Sequence, residues 1–177
     1  PSNDIFEINP FDFGDRSFNL IIGNPPYMKT EDIKAFTPKE KILYEKRNRY
    51  KTAYKQYDKY FLFIEQALNL LKPDGYLGYI VPSKFMKVGA AKELRNLIAN
   101  NAYLKAMTSF GAHQVFADKS NYTCIMVLEK NKHDTFKYSE VSDFIGWRVR
   151  DVNAYKFCER PSITINAGTW VLCTDEH

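Results

Sequence analysis

Cysteine and histidine are scarce in this chain of 177 residues, at three each. Cys124, Cys158 and Cys173 are odd in number and far apart, with no Cys-x-x-Cys pair. That excludes a disulfide framework and a zinc ribbon, and it fits a reducing, cytoplasmic setting. His113, His133 and His177 show no ligand spacing, so no metal is assigned. No apolar run is long enough to span a membrane. Residues 1–7 are neither basic nor apolar, so they do not read as a signal peptide. An initiator Met is absent, and the expectation is an excised piece of a longer protein. A strong excess of one charge is missing too: the formal charge is +4, which permits a nucleic-acid partner without requiring one. The hydrophobic content, 45%, marks a globular chain, and the length suffices for one domain with a core.

What is present begins with a short apolar run at residues 18–22, which reads as a buried strand. It stops at Gly23-Asn24-Pro25-Pro26-Tyr27. Two prolines neither continue a ladder nor start a helix comfortably. Residues 24–27 are therefore expected to form a stiff, extended loop at the carboxyl end of a strand, where open α/β sheets bind ligands. The loop offers a side-chain amide, a backbone carbonyl that no ladder uses, and an aromatic face. Those parts suit a planar base that carries an amino group.

Residues 29–59 interleave lysines and arginines with Phe36, Tyr44, Tyr50, Tyr54 and Tyr57. Two readings stand: a flap that touches phosphates and stacks on bases, or a solvated helix-loop with its tyrosines packed beneath. Thr37-Pro38 predicts a helix start there. Residues 58–71 predict an amphipathic helix with Tyr60, Phe61, Ile64, Ala67, Leu68 and Leu71 on one face. Lys72-Pro73-Asp74-Gly75 carries both stop signals, and a strand follows at 76–81. Pro82 ends it, Ser83 is the natural cap of a helix over 84–99, and Gly89 is a point of interruption. Strands follow at 103–110 and 121–129. The loop between them is too short for a crossover helix, so the two should pair antiparallel. After Lys130 the composition shifts and helical periodicity is lost. Residues 131–177 read as a linker and the start of a second module, set apart from a unit at 1–130. Pro73-Asp74 with the later Glu93 does not make a nuclease signature, because the turn explains that pair fully.

Asn24-Pro25-Pro26-Tyr27 after an apolar strand resembles the catalytic motif of amino-group methyltransferases that use S-adenosylmethionine. The wider chain is similar to the TaqI-like N6-adenine DNA methyltransferases, including the methylase part of fused type IIG restriction-modification enzymes. The resemblance implies an α/β fold: part of a Rossmann-like methyltransferase sheet with an antiparallel last strand, followed by the start of a target-recognition region. It implies transfer of a methyl group from S-adenosylmethionine to a flipped-out adenine in double-stranded DNA. Asn24 and Pro25 would accept hydrogen bonds from the adenine amine, Tyr27 and Pro26 would face the base, and Phe116 would cover its other side. Asp12 and Phe13 sit where that family contacts the cofactor's adenine.

The family's glycine-rich cofactor turn has no counterpart before Asn24. The expectation is therefore a catalytic-loop half that lacks the main cofactor-binding motif and is inactive alone. Its partners would be the N-terminal part of the same enzyme, or a second copy paired through the edge of the 18–22 strand. RNA or protein amino-group methylation, or a non-catalytic DNA-binding role, are the alternatives.

Overall fold

In the computed structural model the described residues are 18–45, 49–116 and 122–174. The apolar run forms strand β1 (Phe18–Gly23). Three helices cross over from it: α1 (Thr30–Phe36), α2 (Pro38–Glu45) and α3 (Lys59–Leu70). Strand β2 (Leu71–Pro82) then lies parallel to β1. Helix α4 (Lys92–Asn100) leads to β3 (Leu104–Ser109), and a loop returns the chain as β4 (Thr123–Glu129). β4 inserts between β2 and β3 and is antiparallel to both, as the short loop requires.

The segment after Lys130 adds β5 (Thr135–Val141), the short helix α5 (Phe144–Arg148) and β6 (Tyr155–Pro161) to the same sheet. The order is β1-β2-β4-β3-β5-β6, with β5 parallel to β3 and β6 antiparallel to β5. The composition change at Lys130 thus marks a change in surface within one continuous sheet. The chain then runs back over the helices. Trp170 donates its backbone N–H to Met86 O at 2.8 Å and packs edge-on to Phe85. Arg95, 3% exposed, donates to the carbonyls of Phe85, Val88 and Ala167. The residue types around α4 predict none of this strapping.

α3 follows the sequence pattern closely. Tyr60, Phe61, Leu62, Ile64, Ala67 and Leu68 are buried against Leu77, Tyr79 and Val81 of β2, each large side chain contributing about 1.5–3 kcal/mol. Elsewhere the structure departs from the expected boundaries. Residues 72–75 do turn, with Asp74 at φ 61°, yet the strand does not begin after them. They bulge out of a strand that starts at Leu71, because Lys130 bridges the bulge: its N–H donates to Gly75 O at 2.9 Å and its Nζ to Leu71 O at 2.6 Å. The expected helix over 84–99 is two 3-10 turns (Ser83–Met86, Gly89–Ala91) followed by the shorter α4. Ser83 caps no helix, since both its N–H and its Oγ donate to Tyr122 O, at 2.9 and 3.2 Å.

The basic-aromatic segment is packed in part, with Phe36 and Tyr54 exposed. Tyr50 and Tyr57 are buried, and Glu65 of α3 ties the loop down by accepting from Lys51 N, Thr52 N and Thr52 Oγ1. Lys34, Lys39, Lys51 and Lys55 stay exposed outside.

Candidate active site

β1, β2 and β3 run in one direction, so their carboxyl ends share one end of the sheet, and β4 starts there. Two loops meet at that end: residues 24–28 after β1, and residues 110–122 between β3 and β4. β4 lies two strands from β1, or about 10 Å at ordinary strand spacing. β2 fills the interval between them.

The proline loop leaves β1 at this end. β1 ends its ladder at Gly23, opposite Tyr79, while β2 continues to Pro82. The carbonyls of Ile80 and Pro82 thus extend past the end of β1. Tyrosine hydroxyls cap them: Tyr27 Oη donates to Ile80 O at 2.9 Å, and Tyr60 Oη to Pro82 O at 3.3 Å. The two rings meet edge-on, centroids 6.1 Å apart. Burial, with Cys124 nearby, pushes the Tyr27 phenol up to about 12. Tyr27 is therefore neutral in the physiological range and its hydroxyl is occupied, so the ring is what it can offer a ligand.

Asn24 and Pro26 are exposed, while Pro25 is buried and Tyr27 half-buried. Among the described residues, the Asn24 carboxamide makes no hydrogen bond and the Pro25 carbonyl accepts none. A proline-locked loop thus carries two acceptors that the protein itself does not use, although buried backbone carbonyls are nearly always paired. Just beyond, the loop is stapled to the start of α3. Lys59 N donates to Met28 O at 2.7 Å, and Thr30 donates to Tyr57 O through its N–H at 3.0 Å and its Oγ1 at 2.6 Å.

Phe116 is half-buried, in a bend of the segment that follows β3. The topology brings it to the same end of the sheet as Asn24, Pro25, Pro26 and Tyr27. Asp12 and Phe13 lie outside the described residues. Sequence reasoning missed Asp58 and Lys84. Asp58 was read as a helix start and Lys84 as part of a helix, yet their side chains meet at 3.0 Å behind the proline loop. Nothing in their spacing, 26 positions, signals the pair.

This fold is shared with the methyltransferase parts of restriction-modification enzymes. The type IIG restriction endonuclease BpuSI superposes with a TM-score of 0.59 at 17% identity, over 89% of this chain and 20% of BpuSI. The methyltransferase subunit of a type I restriction-modification system from Streptococcus thermophilus gives 0.55 at 18% identity, over 77% of this chain and 29% of the subunit. The chain belongs to the Eco57I restriction-modification methylase family, whose sequence model matches residues 2–116. It is 49% identical over 169 residues to the type II restriction enzyme and methyltransferase RM.Eco57I of Escherichia coli, covering 96% of this chain and 17% of that enzyme. It is 34% identical over 114 residues to the type II methyltransferase M.PaeR7I of Pseudomonas aeruginosa, covering 64% of this chain and 19% of that protein. The chain therefore spans under a fifth of the length of either relative.

Proposed function

We propose that the chain carries the acceptor site of a site-specific DNA adenine-N6 methyltransferase belonging to a restriction-modification enzyme. The observation that carries this reading is the pair of unengaged acceptors, the Asn24 carboxamide oxygen and the Pro25 carbonyl, held on a rigid loop beside an aromatic ring. The exocyclic amine of adenine is a weak nucleophile because its lone pair is delocalised into the ring. Two acceptors on its hydrogens draw the nitrogen toward tetrahedral geometry and free the lone pair. They also stabilise the positive charge that grows on nitrogen as the methyl arrives. No strong base is required, and none of the loop residues is one.

An amine inside a stacked duplex cannot reach this loop, so the base must be flipped out. Tyr27 and Phe116 would then sandwich it, each stack worth about 1–3 kcal/mol. S-adenosylmethionine is the methyl donor this chemistry calls for. The described residues fit the acceptor side only. They include no glycine-rich strand-to-helix turn, so no step here is assigned to residues that hold the donor. The edge of β1 is the surface on which the cofactor-binding part of the whole enzyme would pair. There Leu20 and Ile22 are 55% and 74% exposed, and beside them Phe18, Leu62, Phe63 and Tyr79 line an apolar cavity of about 370 Å³. Residues 131–177 would begin the path to the target-recognition region.

The test is to incubate the protein, at its full encoded length, with duplex DNA and radiolabelled S-adenosylmethionine and then digest the DNA to nucleosides. Label in N6-methyl-2′-deoxyadenosine supports the reading. Label confined to deoxycytidine, or label that enters RNA or protein in parallel incubations and not DNA, overturns it.

A further inference from the structure

β5 runs parallel to β3, so it ends, at Val141, on the same end of the sheet as β1, β2 and β3. The connection from β5 to β6, residues 142–154, therefore lies at the working end, the one that carries the proposed acceptor site. β5 is four strands from β1, or about 19 Å at ordinary strand spacing. About six base pairs of duplex cover that length at ~3.4 Å each.

The connection is firmly built. Ser142 N, Asp143 N and Ser142 Oγ all donate to Ala154 O, at 2.9, 3.1 and 3.1 Å. Phe144 and Trp147 lie nearly parallel, and His113, from the segment after β3, stacks on Phe144 with centroids 6.1 Å apart. Phe110, 1% exposed, meets both Phe144 and Trp147 edge-on. The two acids of the connection serve its own backbone. Asp143 Oδ1 accepts from Ile145 N at 3.0 Å, and Asp151 Oδ1 from Asn153 N at 2.9 Å.

The two arginines are placed differently. Arg148 and Arg150 are exposed, and among the described residues neither guanidinium makes a hydrogen bond or an ion pair. Arg150 also stands just past the end of α5 at φ 63°. Its N–H donates to Trp147 O at 3.1 Å, and the next N–H, of Asp151, to Gly146 O at 2.9 Å. That left-handed position is ordinarily given to glycine, because a β-carbon is strained there. A cation suits a helix C-terminus, which accounts for Arg148 but not for arginine at a strained position. Strain kept at an exposed charge points to a use for the charge.

We propose that the β5–β6 connection is a phosphate-contact surface, on which Arg148 and Arg150 hold the backbone of duplex DNA several base pairs from the adenine at the proline loop. Lys29, beyond the proline loop, and Lys87, beyond β2, are exposed at the same end and share its sign of charge. The arginines supply affinity and register and read no bases. The inference rests on the methyltransferase reading for the identity of the anion.

The experiment uses the full-length protein and follows its binding to a labelled duplex oligonucleotide by fluorescence anisotropy over a series of salt concentrations. Each phosphate contact contributes about 0.9 to the slope of log affinity against log salt. Arg148→Gln combined with Arg150→Gly should flatten that slope by about 2 and weaken binding about tenfold at low salt, equally for duplexes of unrelated sequence. Its urea midpoint should hold, since glycine suits φ 63°. Arg148→Lys with Arg150→Lys, which keeps both charges, should keep most of the slope. Lys72→Gln with Lys132→Gln removes the same charge from exposed positions at the opposite end and should leave the slope unchanged. An unaltered slope in the arginine variant overturns the proposal, and does so too if that variant instead loses a protein contact made through the exposed Ile145 and Val149. Equal flattening in the lysine variant also overturns it, since net charge alone would then set the slope. If the unsubstituted protein binds duplex DNA and methylates nothing, the functional reading fails, while the slopes still decide this surface.

Discussion

The two ends of this sheet differ at a few polar groups. At the amino ends of the parallel strands, Glu129 is gripped by Lys105 Nζ at 3.0 Å and His133 Nε2 at 2.9 Å, and Lys130 donates to Leu71 O and to Gly75 O. At the carboxyl ends, Asn24 and the Pro25 carbonyl find no protein partner among the described residues. An open acceptor lowers stability only where it is buried away from water. Asn24 is exposed to water, so the difference rests on the buried Pro25, whose carbonyl would take its donor from a ligand under the proposed function.

Breaking the working end should cost activity and little stability. Tyr27→Ala removes the ring on which the proposed function stacks the base and should lower kcat/KM for DNA by about tenfold to hundredfold, the worth of one base stack. Tyr27→Phe keeps the ring and loses only the bond to Ile80 O. Its cost should be about 1 kcal/mol in urea unfolding with most of the activity kept. Loss of activity in Tyr27→Phe equal to that in Tyr27→Ala would show that the ring is not what Tyr27 supplies.

Breaking the other end should do the reverse. Glu129→Gln should cost about 1 kcal/mol of stability and leave methylation unchanged. The effect has a definite pH sign. Burial alone would raise the Glu129 carboxyl. The neighbouring Lys105 ammonium, the Tyr76 hydroxyl and the charge of His133 outweigh it and hold the carboxyl below the usual range. Its contribution is therefore full above the ordinary glutamate value and is lost as pH falls through the lowered one. Urea midpoints of the two proteins should converge at acid pH, and a gap that persists there contradicts the assignment.

The smallest effect belongs to the edges. β6 carries Lys156, Glu159 and Arg160 and ends at Pro161, features that discourage pairing. β1 shows Leu20 and Ile22 instead. The 177-residue chain should self-associate through β1 in sedimentation at high concentration, and Ile22→Lys should weaken that association with no change in thermal stability. A monomer at every concentration removes β1 as a pairing edge for a second copy.

Much of this was legible in the residues, and the limits have physical causes. The proline loop reads correctly because proline acts on its own backbone and its immediate neighbour. α3 reads correctly because its apolar spacing is itself the record of its packing. The antiparallel β4 follows from loop length alone. Ser83 and the bulge at 72–75 read incorrectly because distant groups decide them: Tyr122 O captures the serine that would have capped a helix, and Lys130 holds the strand together across a local turn. The Asp58–Lys84 pair and the Arg95 and Trp170 strapping were illegible for the same reason. Phe116 could be placed at the correct end of the sheet from strand order, but its loop neighbours at 117–121 lie outside the described residues.

The central claim is that Asn24 activates the acceptor amine without acting as a base. Single-turnover methylation of duplex DNA by the full-length protein tests it most directly, with saturating S-adenosylmethionine and Asn24→Ala beside the unsubstituted protein. The account predicts a loss of about 10²–10³ in the rate of methyl transfer, the scale for removing one preorganised polar partner of a transition state, with DNA affinity and urea midpoint retained. A rate for Asn24→Ala equal to that of the unsubstituted protein would contradict it.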